Sequence, residues 1–194
     1  MLLDLVKKNR SFRNFDSTRR ITREELEGLV AFARLCPSAA NSQTLKYFLS
    51  YDDETNATIL KNVYFAAALK DRHFPTPGME GTAYIVICHD MQISPNAERF
   101  AKDVGIVAQT MMLAAAEMGL GGCMIGSMNK NEIKSELSLP AHLEPQLILV
   151  LGKPAEKVKL VDATGDSVTY YREEDDTHVV PKRTLDTLII SKES

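Results

Sequence analysis

The sequence has few cysteines, no long apolar run and no net positive charge. Each of these absences excludes a class of protein. Its three cysteines, an odd number in apolar or tight-turn settings, are interpreted as reduced thiols of a cytoplasmic protein. No stretch approaches the roughly 18 apolar residues of a membrane span, and an acidic residue as early as Asp4 argues against a signal peptide. The formal net charge of −3 gives no electrostatic footprint for nucleic acid. We therefore expect neither a membrane protein nor a nucleic-acid-binding protein.

Several motifs that mark catalytic and nucleotide-binding sites are absent as well. The four histidines are scattered, without HExxH or Cys-x-x-Cys spacing, so no metal site is expected. No serine lies in a G-x-S-x-G elbow, and there is no Walker sequence. Gly119, Gly121 and Gly122 suggest a dinucleotide loop, but the next glycine of that motif is replaced by Met124, and the run follows a predicted helix instead of a strand. A nucleophile triad and a Rossmann site are therefore rejected.

The apolar pattern that is present predicts one domain of interleaved helices and strands. With 194 residues, 44% of them hydrophobic, the chain can bury a core without disulfides or metals. Helices are predicted for residues 2–9, from the capping box at Thr22 to Pro37, and for residues 54–70, 97–118 and 129–137. Strands are predicted for residues 46–51, 82–88, 123–126 and 146–151. The strands at 82–88 and 146–151 are continuous apolar runs, typical of strands that are covered on both faces.

The composition changes after Pro154. Residues 157–178 are polar, with an acidic run at 173–176 and an edge strand predicted at 168–171. The chain becomes apolar again at Leu185, Leu188, Ile189 and Ile190. On the residues alone, two interpretations are equally open: an arm of about residues 155–194 that packs on a partner subunit, or a flexible loop with a locally docked tail.

Three features could together form a binding site. The first is Arg10-Ser11-Phe12-Arg13, here the arginine turn, whose guanidinium groups match phosphate geometry, with a second basic pair at Lys182-Arg183. The second is residues 37–43, here the amide loop, whose side-chain amides suit the edge of a heterocycle. The third is residues 121–126, here the glycine run, small enough for backbone N–H groups to approach a ligand. Taken singly, they also fit solvated surface charges, a turn between helix and strand, and a helix C-cap.

In this order the features resemble the nitroreductase family of FMN-dependent oxidoreductases over nearly the whole chain. Residues 10–15 match the family's Arg-Ser-x-Arg-x-Phe turn, residues 37–43 its Pro-Ser-Ala-x-Asn-x-Gln loop, and residues 103–121 its Met- and Ala-rich helix ending in Gly-Leu-Gly. Residues 152–154 match its closing Gly-x-Pro, and residues 182–183 its basic pair. The resemblance implies an α+β fold with a central, mostly antiparallel sheet flanked by helices. It also implies an intertwined homodimer with an exchanged C-terminal arm, in which residues 1–194 form a single FMN-binding domain.

The resemblance also assigns FMN binding to particular positions of this chain. These are Arg10, Ser11, Arg13, Ser38, Ala39, Asn41, Gln43, Ile125, Gly126, Lys182 and Arg183. Arg10, Ser11 and Arg183 would hold the phosphate with Lys182 nearby, and Arg13 would lie beside N1 and O2 of the flavin. The four positions in the amide loop would line the ring, some of them from the second subunit. Ile125 and Gly126 would direct backbone N–H groups to N5 and O4.

The implied activity needs no catalytic side chain. NAD(P)H would deliver a hydride to FMN, and the electrons would pass in a ping-pong reaction to nitroaromatics, quinones or similar small acceptors. Arg13 would tune the flavin, because a fixed cation near N1 and O2 stabilises its reduced form. A flavin-binding protein without turnover and a phosphate-binding interaction domain without flavin are the alternatives. The family's other reactions (ene reduction, dehalogenation and flavin cleavage) are not separated by sequence.

The chain departs from the family at two places where the family often has tryptophan. After the amide loop, where Pro-Trp is common, this chain has Thr44-Leu45. After the cysteine that follows Gly-Leu-Gly it has Met124, and the sequence contains no tryptophan at all. Both changes reshape the expected pocket. The acceptor, the reduction potential and the choice between NADH and NADPH therefore do not follow from the resemblance.

Overall fold

The computed structural model describes residues 1–65 and 73–191 of the chain. These residues form two units, one of residues 1–65 and 73–155 and one of residues 156–191. The arginine turn, the amide loop and the glycine run belong to the first unit, and Lys182 and Arg183 belong to the second.

An antiparallel sheet of five strands forms the centre of the first unit. The strands are β1 (Phe15–Asp16), β2 (Leu45–Ser50), β3 (Ala83–Asp90), β4 (Gly121–Ile125) and β5 (Leu143–Pro154). β3 lies between β2 and β5, while the other edge of β5 pairs with β4 and then with β1. All of these strand pairs are antiparallel, so the predicted sheet is confirmed.

Five α-helices accompany this sheet in the described part of the unit. They are α1 (Leu2–Lys8), α2 (Arg23–Arg34), α3 (Asp53–Leu60), α4 (Ala101–Glu117) and α5 (Lys130–Glu136). The predicted capping box is present at the start of α2, where the Glu25 N–H donates to the Thr22 hydroxyl and the Thr22 N–H donates to the Glu25 carboxylate. Such a cap contributes about 1 kcal/mol because it satisfies otherwise unpaired N–H groups.

The two faces of β3 point into two apolar cores. Ala83, Ile85 and Ile87 pack with residues of α2 and α4, and Tyr84 and Val86 pack with residues of α3 and α5. All eight residues of β3 are buried, which confirms the prediction of a strand covered on both faces. Each isoleucine buried here contributes roughly 1.5–3 kcal/mol through removal of apolar surface from water.

Several predicted boundaries differ from the observed ones. The helix predicted for residues 54–70 is α3, which ends at Leu60, and residues 66–70 of that prediction lie outside the described residues. α4 begins at Ala101 because residues 98–100 form a 3₁₀ turn. β5 extends well beyond residues 146–151 because it pairs with three strands along its length.

The second unit contains a small three-stranded sheet. β6 (Val158–Asp162) runs parallel to β8 (His178–Lys182), which pairs antiparallel with β7 (Tyr171–Arg172), and α6 (Leu185–Leu188) follows. The edge strand predicted at 168–171 is shifted to β7, and the sequence reading missed β6 and β8. The sequence does not indicate these two strands, because β6 pairs with a distant segment and because Pro181 within β8 is atypical of a strand interior. Within the described residues, no helix has the length and apolarity to cross a membrane.

Candidate functional site

The arginine turn lies directly against the glycine run. The Phe12 N–H donates to the Gly122 carbonyl oxygen at 2.9 Å, and Ser11 forms a parallel bridge with Gly122. The contact requires glycine: a Cβ at position 121 would lie 2.6 Å from the Phe12 ring, and one at position 122 would lie 2.1 Å from the Val150 carbonyl oxygen. The structure therefore brings together two of the three predicted features.

Arg10 is a half-buried cation without a counter-ion among the described residues. Its Nη2 donates to the Val6 carbonyl oxygen at 2.6 Å, and its buried Nε has no hydrogen-bond partner there. Burial lowers the pKa of Arg10, but a guanidinium stays protonated in proteins. A positive charge partly removed from water and left unpaired is suited to bind an anion, with the exposed Ser11 hydroxyl beside it.

Arg13 is almost completely buried, with 8% of its surface exposed. Its Nη1 donates to the Ser11 carbonyl oxygen at 3.3 Å. The interpretation of Arg13 as a solvated surface charge is therefore wrong. The arginine turn instead presents two different environments, a half-buried guanidinium at Arg10 and a buried one at Arg13.

Strand register decides which backbone groups of β4 face the open edge. The Thr82 N–H donates to the Leu151 carbonyl oxygen at 2.9 Å, so the backbone of Leu151 faces β3. Because successive residues of a strand alternate, Ile148 faces β4, where its register partner is Ile125. The backbone N–H of Ile125 is therefore directed into the sheet and not towards a ligand.

The backbone N–H and C=O groups of the even-numbered residues of β4 point the other way, towards the outer edge of the strand. Gly122 faces the arginine turn, and the same alternation directs the Met124 N–H to that outer edge. Gly126 follows just past the strand end. Gly126 is exposed, and a Cβ there would meet nothing within 4 Å. Of the two predicted N–H donors, Ile125 faces into the sheet by this register, and Gly126 lies just beyond the paired residues.

An exposed tyrosine is held beside this strand end. The Tyr64 N–H donates to the Ser127 carbonyl oxygen at 3.0 Å, and 64% of Tyr64 is exposed. Sequence reasoning did not single out Tyr64, because the contact joins segments distant in sequence and leaves no spacing signal.

The amide loop has an unusual backbone. Ala40, Asn41 and Gln43 have φ values of 51°, 51° and 50°, in the left-handed region that non-glycine residues rarely adopt. The side chains of Asn41 and Gln43 are exposed and contact each other, with Gln43 Nε2 donating to Asn41 Oδ1 at 3.2 Å. Their amide groups are thus presented together at the surface.

A buried carboxylate holds the start of this loop. Asp103, on α4, is 4% exposed, and its Oδ2 accepts hydrogen bonds from the Ser38 hydroxyl at 2.7 Å and the Ala39 N–H at 3.0 Å. The Ser38 Oγ in turn accepts from the Gln43 N–H at 3.0 Å. Sequence reasoning missed Asp103, since an acidic residue in the first turn of a helix is ordinarily explained by the helix dipole.

A cavity of about 300 Å³ adjoins the amide loop. Ser38, Gln43 and Asp103 contribute to its wall, together with Cys36 and Tyr47. Burial, reinforced by the nearby Cys36, raises the pKa of Tyr47 to about 12. The tyrosine is therefore a neutral hydrogen-bonding group at ordinary pH.

Lys182 and Arg183 lie at the end of β8 and just after it, and both are exposed. The Lys182 carbonyl oxygen accepts from the Ala163 N–H at 2.7 Å within the second unit. Their approach to the arginine turn stays a prediction.

Comparison with known proteins identifies the family. The profile of the Nitroreductase family matches residues 6–153. The chain belongs to the nitroreductase family. YodC of Bacillus subtilis, provisionally named an NAD(P)H nitroreductase, is 23% identical over 187 residues, covering 78% of this chain and 88% of YodC.

Two solved structures of nitroreductases show the same fold. A nitroreductase family protein of Clostridium difficile 630 superposes with a TM-score of 0.69 at 23% identity, covering 99% of this chain and 98% of that one. An FMN-dependent nitroreductase of Clostridium difficile R20291 gives 0.64 at 22% identity, covering 84% and 92%. At these identities the structural likeness establishes the fold, so the expected nitroreductase fold is confirmed.

Proposed function

We propose that this nitroreductase-family chain is an FMN-dependent oxidoreductase that takes a hydride from NAD(P)H and passes electrons to nitroaromatics, quinones or similar small acceptors. The observation that carries the proposal is the hydrogen bond between Phe12 and Gly122, because it fixes the arginine turn beside the open edge of β4. Family membership and the names of similar proteins support it.

The phosphate of FMN would bind at Arg10. The unpaired half-buried guanidinium and the exposed Ser11 hydroxyl fit a phosphate group, and Lys182 and Arg183 are proposed to add positive charge. Charge-assisted hydrogen bonds of this kind are about twice as strong as neutral ones. The buried Nε–H of Arg10 has no hydrogen-bond partner among the described residues, and this favours a bound anion here.

The ring would lie along the edge of β4 towards Gly126. When bound, FMN supplies the redox chemistry by accepting a hydride and later giving up the electrons. Arg13 would place a fixed positive charge beside N1 and O2, where negative charge develops. The N–H of the exposed Gly126, just past the end of β4, would donate to the ring, while Ser38, Ala39, Asn41 and Gln43 would line it.

The acceptor would meet side chains that differ from the family pattern. Met124 is 36% exposed at the strand edge, and Tyr64 is exposed beside Ser127. An aromatic acceptor stacked at this end of the strand would contact both, with Thr44 and Leu45 following the amide loop. Ping-pong kinetics are proposed because NAD(P)H and acceptor would use the same ring face in turn.

We also infer a homodimer with an exchanged C-terminal arm. Leu185, Leu188 and Ile190 are 74%, 58% and 99% exposed. Exposed apolar side chains grouped in one segment favour burial against a second subunit. Light scattering after gel filtration should give a dimer mass, and removal of residues 185–194 should shift it towards the monomer.

A visible spectrum taken before and after anaerobic addition of NAD(P)H separates the candidate functions. A yellow protein that bleaches supports the oxidoreductase, and parallel double-reciprocal plots would support ping-pong turnover. A yellow protein that does not bleach would leave a flavin-binding protein without turnover. A colourless protein that ignores added FMN would refute both and favour a phosphate-binding domain.

A cytoplasmic location is proposed as well, since no disulfide joins the three cysteines.

A further inference from the structure

We propose that Asp103 is a positioning residue that fixes the amide loop in the geometry in which it meets the flavin; this rests on the proposed function. The carboxylate is 4% exposed and lies in the first turn of α4. A charge so deeply buried is tolerated only with hydrogen-bond partners, and the two groups that donate to Asp103, the Ser38 hydroxyl and the Ala39 N–H, both lie in the loop.

The Ser38 hydroxyl connects this carboxylate to the far end of the loop. It donates its only proton to Asp103 and accepts from the Gln43 N–H at 3.0 Å. A hydroxyl has no second proton, so Ser38 cannot also donate to a ligand in this state. Ser38 therefore acts mainly as a link between Asp103 and Gln43, and direct recognition is left to the exposed amides of Asn41 and Gln43.

The loop needs such an anchor because its backbone is unfavourable by itself. Ala40, Asn41 and Gln43 occupy the left-handed region, which costs energy for residues with a Cβ. Backbone strain of this kind persists only where surrounding contacts determine it. The Asp103 carboxylate, shared by the Ser38 hydroxyl and the Ala39 N–H, is the contact in the described residues that fixes where the loop begins.

The chain offers an isosteric replacement and a matched control. Asp103→Ala removes the acceptor, whereas Asp103→Asn keeps an acceptor oxygen at the same distance without the charge. Asn56→Ala serves as the control, because Asn56 is 6% exposed and also holds two partners, Ser50 and Thr82, but in the α3 region. It should lower stability without touching the amide loop.

Two measurements test the role. The dissociation constant for FMN, from quenching of flavin fluorescence, should rise about tenfold to a hundredfold in D103A, because a smaller fraction of the protein then holds the strained loop in its binding geometry. D103N should recover most of the affinity, because it keeps an acceptor oxygen. The double variant D103A/S38A should bind FMN no more weakly than D103A, since both substitutions break the same hydrogen bond between Ser38 and Asp103. N56A should bind FMN as the wild type does at a temperature where it is folded.

Hydrogen exchange of the apoprotein gives a readout that needs no flavin. The Ala39 and Gln43 amides should lose protection in D103A and keep it in N56A. Unchanged FMN affinity and unchanged protection in D103A would overturn the inference, as would an equal loss of affinity in N56A. If wild-type protein fails to bind FMN, the proposed function fails, and loss of protection in D103A would then leave Asp103 as a loop anchor only.

Discussion

The backbone N–H of Phe12 donates to the carbonyl oxygen of Gly122 over 2.9 Å, joining the arginine turn to the edge of β4. Two segments more than a hundred positions apart thereby share one surface. Arg10 and Arg13 precede and follow Phe12 closely, so the position of this one hydrogen bond sets where both guanidinium groups lie relative to the strand. The candidate site depends on it.

Gly122→Ala should disturb both the fold and this placement. The new Cβ would lie 2.1 Å from the Val150 carbonyl oxygen, which belongs to the sheet backbone and cannot move freely. We expect a loss of about 1–3 kcal/mol in the free energy of unfolding, measured by urea denaturation, and weaker FMN binding. Gly105→Ala in α4 is the matched control, because nothing lies within 4 Å of a Cβ added at this position. The higher helix propensity of alanine should raise stability by up to about 1 kcal/mol. Equal stability of G122A and wild type would contradict the packing argument.

Arg10→Ala should weaken FMN binding by about tenfold to a hundredfold, corresponding to ~1.5–3 kcal/mol for one charge-assisted contact. Arg10→Lys should bind with intermediate strength, because lysine keeps the charge but not the planar fork. Fluorescence titration with FMN and with riboflavin, which lacks the phosphate, measures the effect. Lys7→Ala removes a neighbouring exposed charge and should bind normally. If R10A loses affinity for riboflavin as much as for FMN, the phosphate role is refuted.

Arg13→Gln should lower the reduction potential of the bound flavin. Removing a fixed cation beside N1 and O2 destabilises the more negative, reduced form, so the potential falls, by about 20–45 mV for ~1–2 kcal/mol at two electrons. Glutamine keeps a polar side chain in a site that is 8% exposed, which limits the loss of packing. Dye-coupled potentiometry gives the potential, and an unshifted value would refute a position beside N1 and O2.

Locally coded parts of this molecule could be predicted from sequence, and contacts between distant segments could not. The capping box at Thr22 is complete within four residues, so its pattern is readable. The bond between Ser38 and Asp103 joins residues 65 positions apart and leaves no periodic signal. The register that turns the Ile125 N–H into the sheet is likewise a property of pairing with β5, which composition does not encode. The resemblance correctly predicted the fold.

Asp16 should make the fold sensitive to acid. Hydrogen bonds, first from the Thr18 hydroxyl and then from Lys153, lower the pKa of Asp16 to about 2 from an ordinary 3.8. The ionised carboxylate therefore stabilises the folded chain above the ordinary pKa, and this contribution disappears as the pH falls from 3.8 through about 2. The difference in the free energy of unfolding between wild type and Asp16→Asn should be constant above about pH 5. It should decrease as the pH falls from 4 to 2. A difference at pH 2 as large as the one at pH 5 in urea titrations would contradict the assignment.

The second unit should depend on its buried ion pair. The side chains of Arg172 and Glu156 are 3% and 4% exposed and contact each other. Glu156→Ala would leave the Arg172 charge buried with less compensation, which costs about 3–5 kcal/mol when one partner of such a pair is removed. Asp176→Ala removes the outer partner of Arg172, which is 53% exposed, and should cost less than about 1 kcal/mol. Limited proteolysis within residues 156–191 is the measurement, because it reports local unfolding of this unit. Faster cleavage in E156A but not in D176A is expected, and equal cleavage rates would show that burial of the pair contributes nothing.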